Sequence, residues 1–503
     1  LLTGGGRTAL ARHQTLQATI DWSYALLVEP ERLLLQRLSV FAGGCTLEAA
    51  EAVCAGEGLP AADMLDCLTA LVDKSLISGA RQQGQETRYR LLEMVRQYAW
   101  EKLAVGGAQE RTQMRHRDYF LSFAEKHAPN LNHYEFLSRR RAIDTDLENI
   151  RRALEWSFSN RTAITAGVRL VLVAVHQLYS LEEKLDWCTR AIALAESEPD
   201  IPDDLLVELL LLARTYVVVD DPRAALALTE RALEISRGLG RERPVLQLDS
   251  LCRLAELYIT LLEDAERGQA TLAEARKLFE SSESDLRSPS KEGWQAWFCQ
   301  IEFQLAFSRG DFLGAEAWAV EIIRRETELG SPWGIMMAQR AMGSACLGLG
   351  KHAEARRHFL LALDSTEMLS RGYWQSLRAA LIRQLGEVDL REGELESAWQ
   401  NCQQSLRLAA EAFDRNVIAS GLGLAAAIAA GQGRPARAAR LSGASIALYA
   451  RQSRKPLEDS SLDTLLPGWQ ASPDHAAVAE AFEAGQAMPA EAAIASALDE
   501  AAD

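Results

Sequence analysis

The side chains best suited to chemistry in this sequence are cations. Arg12 and His13 stand together near the start, and Arg81, Arg88, Arg90 and Arg96 follow within sixteen positions, with Lys102 just beyond. Guanidinium groups at such spacing suit phosphate oxygens, from a nucleotide or from a nucleic-acid backbone, or the carboxylates of an acidic partner domain. Residues for bond-breaking chemistry are harder to find. The eight histidines are isolated, and His352 and His358, six apart, do not share a helical face as an HExxH pair does. There is no GxSxG elbow. Gly4 to Gly6 lack the lysine of a phosphate loop, and no other segment supplies GxxxxGK[ST]. No catalytic residue, cofactor-binding residue or metal ligand is assigned. The eight cysteines never form CxxC, a pattern of reduced, buried thiols rather than of a disulfide frame or a zinc site.

The elements that must hold the cations can be read from periodicity. Leu16, Ile20, Tyr24 and Leu27 recur at helical spacing. A second helix opens with Pro30, flanked by Glu29 and Glu31, which suit the positive end of the helix dipole. It puts Leu34, Leu38 and Phe41 on one face, and Gly43–Gly44 are expected to stop it. Thr46 is the expected N-cap of a short third helix, residues 46–54. Asp63 is the expected cap of a fourth, with Leu65, Leu68 and Val72 facing inward. Residues 75–78 suit a strand, and residues 88–92 suit its returning partner. A final helix, residues 93–103, turns Val95, Tyr98 or Ala99, and Leu103 inward. Helix, helix, helix, then a two-stranded wing is the order of a winged helix.

The wording of these segments is more specific than their periodicity. RHQTLQATIDWSYALL, EPERLLLQRLSVFAGGCTLEAAEAVC, LVDKSL and RYRLLEMVRQYAWEKL resemble the winged-helix arm of bacterial STAND-type signalling ATPases, including LuxR-like and cyclase-linked regulators. The resemblance is strong over residues 12–103 and looser afterwards. It implies an NB-ARC-like nucleotide core upstream, which would carry any ATPase activity and bind ATP or ADP. It also implies helical repeats downstream. The chain begins with Leu1, and residues 1–11 would be the junction leaving that core.

The remaining sequence fits. Residues 106–160 read as a helical linker, with a break expected around residues 129–141 and a strong helix carrying Leu147, Ile150, Leu154 and Phe158. From 161 to 440 helix pairs repeat. Gly310 and Ala315, Gly350 and Ala355, Gly393 and Ala398, and Gly433 and Ala438 mark four turns, their glycines 40, 43 and 40 residues apart. The glycine ends one helix, and the small residue five positions on lets the next pack close. A further turn, Asp220 to Ala225, has this shape without the glycine. The pattern resembles tetratricopeptide (TPR) repeats stretched beyond their usual ~34 residues, but residues 240–300 depart from it. Residues 441–503 would cap the array, turning between two short helices at Met488–Pro489. Trp297, Phe303, Phe307 and Trp318 are expected in the repeat core.

Charge sorts the partners. Residues 1–120 hold 13 Lys and Arg against 14 Asp and Glu, and the remainder holds 41 against 56. An acidic helical body is repelled by nucleic acid. The expected reading helix, residues 63–74, offers Asp63, Asp66 and Asp73 against Lys74 alone, which disfavours DNA readout. No apolar run approaches the ~20 residues that span a bilayer, and nothing resembles a secretion signal, so a cytoplasmic protein is expected.

The fold class expected is therefore mainly α, a winged helix followed by an α-solenoid of TPR-like helix pairs. The function expected is the non-catalytic sensor half of a STAND-type ATPase or transcriptional regulator. Its winged helix would relay state, and its repeats would bind a protein, a peptide or another effector. Two alternatives remain: an activator that contacts DNA with its own winged helix, and a free-standing TPR adaptor.

Overall fold

The computed structural model describes residues 17–80, 86–127, 136–178, 180–218, 221–240, 243–282, 291–367, 373–412, 414–452 and 461–499. Among them no helix is long and apolar enough to cross a membrane. The chain divides into two compact units, the first reaching Ile201 and the second beginning at Pro202.

The first unit opens with helix α1, residues 17–25, followed by α2 (Glu29–Leu38), α3 (Leu47–Cys54) and α4 (Met64–Asp73). Strands β1 (Ile77–Ala80) and β2 (Arg88–Leu91) pair antiparallel as the wing, with Gly79 opposite Tyr89. Helix α5 (Glu93–Val105) closes the winged helix. Glu31 caps α2, accepting from the Val28 N–H at 3.1 Å. Thr46 caps α3 through the Ala49 N–H at 3.2 Å. In α5, Tyr98 and Ala99 both turn inward, with Val95 and Leu103.

Three local expectations are corrected. Helix α2 ends at Leu38, well before Gly43–Gly44. Gly44 is required instead because its φ is +78° and a Cβ there would lie 2.6 Å from the Tyr89 carbonyl oxygen. Asp63 does not cap α4, because a 3₁₀ turn over Ala61–Asp63 leads into it and the Asp63 side chain makes no cap bond. Helix α4 buries Met64, Cys67, Leu68 and Leu71, while Leu65 is 49% exposed. Apolar residues occupy both candidate faces, so periodicity picked the neighbouring one.

Helices α6 (Gln109–His127), α7 (Phe136–Ser159), α8 (Ile164–Ala174) and α9 (Leu181–Ser197) complete this unit. Residues 139–141, expected in a break, lie within α7. Helices α8 and α9, expected to open the repeat array, belong here. Helix α8 packs on α6 and α9, and Arg151 of α7 grips Glu183 of α9 at 2.6 and 2.8 Å.

The second unit is six helix pairs: α10 (Asp203–Val217) with α11 (Pro222–Gly238), α12 (Pro244–Thr260) with α13 (Ala265–Ser282), and α14 (Lys291–Ser308) with α15 (Phe312–Glu328). Then come α16 (Pro332–Gly348) with α17 (His352–Glu367), α18 (Tyr373–Arg391) with α19 (Leu395–Glu411), and α20 (Arg415–Gly431) with α21 (Pro435–Arg451). Each pair packs on the next. All four glycine turns close identically. Gly310, Gly350, Gly393 and Gly433 have φ between +72° and +81°. In each turn the N–H after the glycine bonds the carbonyl five residues back, as from Asp311 to Ala306 and from Arg434 to Ala429. Ala315, Ala355, Ala398 and Ala438 are fully buried, as is Ala225.

The irregular stretch 240–300 contains a related turn, in which the N–H after the left-handed residue, that of Asp264, bonds the Tyr258 carbonyl six residues back. Glu263 takes the left-handed position, φ +52°, and Gly268 replaces the alanine five residues on. A Cβ on Gly268 would meet Ile259 Cγ1 at 2.4 Å. Short helix α22 (Leu462–Leu465), then α23 (His475–Ala487) and α24 (Ala490–Leu498), follow. Helix α23 lies on α21 so closely that a Cβ on Gly485 would sit 1.9 Å from the Arg440 carbonyl oxygen. Helix α24 covers α19, α20 and α21. All eight cysteines are buried and free.

Candidate functional site

Among the described residues, the expected wing cations Arg88, Arg90 and Arg96 do not share one face. Arg88 turns inward and makes a two-point contact with Asp146 of α7, at 2.8 and 2.9 Å. Both side chains are about nine-tenths buried, at 11% and 10% exposure. The same guanidinium donates to the Gly44 carbonyl at 3.1 Å. Asn149 completes the joint, donating to the Gly44 carbonyl and to Asp146 while accepting from the Ala42 N–H at 2.8 Å. Burial works against the Arg88 charge, yet the Asp146 bonds hold its pKa above the usual range. Arg88 is thus a bolt between the wing and α7. Arg96 is gripped by Glu93 on its own helix, at 2.6 and 2.9 Å. Arg90 is exposed on β2. Arg12, His13 and Arg81 lie outside the described residues.

Helix α4 exposes Asp63, Leu65, Asp66, Thr69 and Asp73. Its one cation, Lys74, closes on the buried carboxylate of Glu31 at 2.5 Å. That face offers no donor suited to base edges or phosphates.

The second unit holds a recess of about 300 Å³ between α14 and α16. One wall is Gln300, Phe303, Gln304 and Phe307 of α14; the other is Trp333, Met337, Arg340 and Ser344 of α16. Successive turns of α14 supply these residues, since 300, 303, 304 and 307 fall on one face. Phe303 and Phe307 stack with centroids 5.7 Å apart, and Phe307 is 38% exposed. Phe303 packs against the core as expected while also edging the recess, whereas Phe307, expected in the core, is exposed on the recess wall. Trp297 is part-buried, its indole N–H donating to Glu256 at 2.6 Å, and Trp318 packs against the core. Polar atoms lie at the recess edge. Arg340 donates to the Gln384 amide oxygen at 3.0 Å, and Gln384 donates to Ser344 at 3.0 Å. The Gln304 Oε1 is buried without a hydrogen-bond partner among the described residues. An aromatic wall with an orphan amide acceptor suits a ligand that brings both an apolar group and a donor. No spacing in the sequence separates these rings from core rings.

Glu316, Cys346 and Glu354 bring three potential ligand atoms together, but the Lys351 ammonium sits on Glu316 at 2.6 Å and offsets its charge.

The pattern of the winged helix-turn-helix domain family matches residues 27–104. A Mycobacterium tuberculosis protein classed as a candidate HTH-type transcriptional regulator is 48% identical over 161 residues, which is 32% of this chain and 18% of that protein. An uncharacterised protein of the same organism is 43% identical over 120 residues, 24% of this chain and 30% of that one. The chain therefore spans about a fifth to a third of the length of these relatives. Among solved structures, a Pyrococcus horikoshii STAND protein with a tetratricopeptide repeat sensor aligns over 92% of this chain and 64% of its own. Its TM-score is 0.52 at 14% identity, a likeness of fold. The winged helix and the helical-repeat body expected from sequence are thus both present.

Proposed function

We propose that this chain is the regulatory and sensor part of a longer STAND-type signalling ATPase that controls transcription. The observation that carries this reading is the order of its parts, a winged helix and then a helix-pair array, aligned over 92% of the chain with a STAND protein bearing a TPR sensor. The relative classed with HTH-type regulators, of which this chain covers 18%, supports a transcriptional output. In this reading the chain performs no catalysis, and ATP or ADP binds a core elsewhere in the polypeptide. The groove between α14 and α16 takes a protein, peptide or small effector. Binding there shifts the population of conformers in which the winged helix restrains the core. The winged helix acts by packing rather than by reading DNA, since α4 presents acids outward and Arg88 is committed to Asp146.

The test is ATP turnover by the full-length polypeptide, with and without residues 202–503. A severalfold change in rate on deletion is expected. Identical turnover would overturn the proposal.

A further inference from the structure

Adjacent arginines on α7 have opposite surroundings. Arg151 holds two carboxylates, Glu148 at 2.5 Å and Glu183 at 2.6 Å. Arg152 has no ion pair and no hydrogen-bond acceptor among the described residues. Its guanidinium carbon lies 4.9 Å from the centre of the Trp100 ring on α5. Burial lowers its pKa, and the neighbouring charge of Arg96 lowers it further, against the smaller opposing effects of Glu155 and Glu93. Arg96 is occupied by Glu93, so it adds a like charge without offering an acceptor. One turn along α7, Trp156 lies under Arg117 of α6 at 5.4 Å, and Arg117 is closed by Asp118 at 2.5 Å. Of the three guanidiniums beside these two indoles, that of Arg152 alone makes no direct ion pair among the described residues, Glu155 and Glu93 acting on its charge from beyond ion-pair distance.

A part-buried guanidinium beside a like charge is relieved by an anion at its open edge, and its ring-stacked face fixes the direction of approach. We propose that Arg152, on its Trp100 platform, docks a carboxylate from an acidic protein segment, whose neighbouring apolar groups rest on Trp100 and Trp156. Local charge selects this class. Arg96 and Arg117 are held by Glu93 and Asp118, and Glu155 offsets the charge of Arg152 without contacting it, so a polyanion such as nucleic acid meets no excess positive field. A single carboxylate meets one unpaired, oriented fork. This site lies in the first unit and does not depend on the groove reading above.

The experiment is phenylglyoxal modification of the whole chain, with each arginine followed by peptide mass mapping, in sodium chloride, acetate or phosphate at equal ionic strength. Arg152 is expected to react faster than Arg151, and acetate to slow it severalfold relative to chloride. The Trp100→Leu variant is expected to lose that protection, with slow labelling of the buried Arg88 reporting that the unit is folded. Equal Arg152 rates in chloride and acetate would overturn the proposal. Protection by phosphate alone would overturn the carboxylate assignment.

Discussion

The two units are closed by different kinds of contact. In the first, buried polar bonds join segments far apart in the chain: Arg88 with Asp146 across 58 residues, and Ala42 with Asn149 across 107. In the second, one turn recurs whose own hydrogen bonds stay within it, and the longer polar bonds mostly join helices close in the chain, as from Ser405 to the Ala379 carbonyl and from Ser445 to the Ala419 carbonyl. A unit closed by a few distant bolts concentrates its stability in them. A unit closed by repeated local turns spreads it, so no single residue decides whether the array forms.

That contrast is most directly broken at Arg88. Arg88→Ala leaves Asp146 buried and short of its cation, and is expected to destabilise the first unit by about 3–5 kcal/mol. Urea unfolding, with hydrogen exchange to localise the loss to residues up to 201, measures it. Removing Asp146 as well should recover part of the loss.

The next effect is pH-dependent. Burial pushes the His116 imidazole down to about 3, against which a hydrogen bond to Asn149 works. The native state therefore stays unprotonated where the unfolded chain takes up a proton. Stability from this group is complete above the ordinary pKa of 6.5 and falls as the pH drops from there toward 3. Between pH 6.5 and about 4.5 the loss is expected to be about 2–3 kcal/mol. His116→Gln should flatten unfolding free energy against pH in that window, while the second unit keeps its profile.

Substitutions in the array should do less. Gly433→Ala forces a side chain into φ +72° and is expected to cost about 1–2 kcal/mol. Glu263→Gly should change stability by less than about 1 kcal/mol, because relief of the left-handed glutamate is offset by the freer unfolded chain. Thermal melting of both variants sharpens the comparison. A Gly433→Ala loss as large as that of Arg88→Ala would refute the idea that the array spreads its stability.

The same contrast decides what could be read from the sequence. The four glycine turns were legible because a left-handed residue demands glycine and a close helix crossing demands a small residue, at fixed spacing. The turn at 263 was hidden because the two roles changed hands: a glutamate bears the positive φ, and the glycine moved to the crossing. Helix order in the winged helix was legible, but the role of Arg88 was not. Alternation along a four-residue strand does not say which edge a distant helix will cover, and Asp146 carries no local mark. Phe307 keeps helical spacing whether it faces core or groove, so the groove became visible only once α16 was placed opposite.

The recurring turn also bears on how such a gene can change. From Gly310 onward each helix pair carries the same backbone junction between its two helices, 40 to 43 residues from the next, so a crossover between two such junctions adds or removes two whole helices. Every turn that remains still has its left-handed residue and its bonded carbonyls. Copy number can therefore vary without inventing a new connection, a freedom closed to the winged-helix unit, where losing β2 or α7 would strand a buried ion.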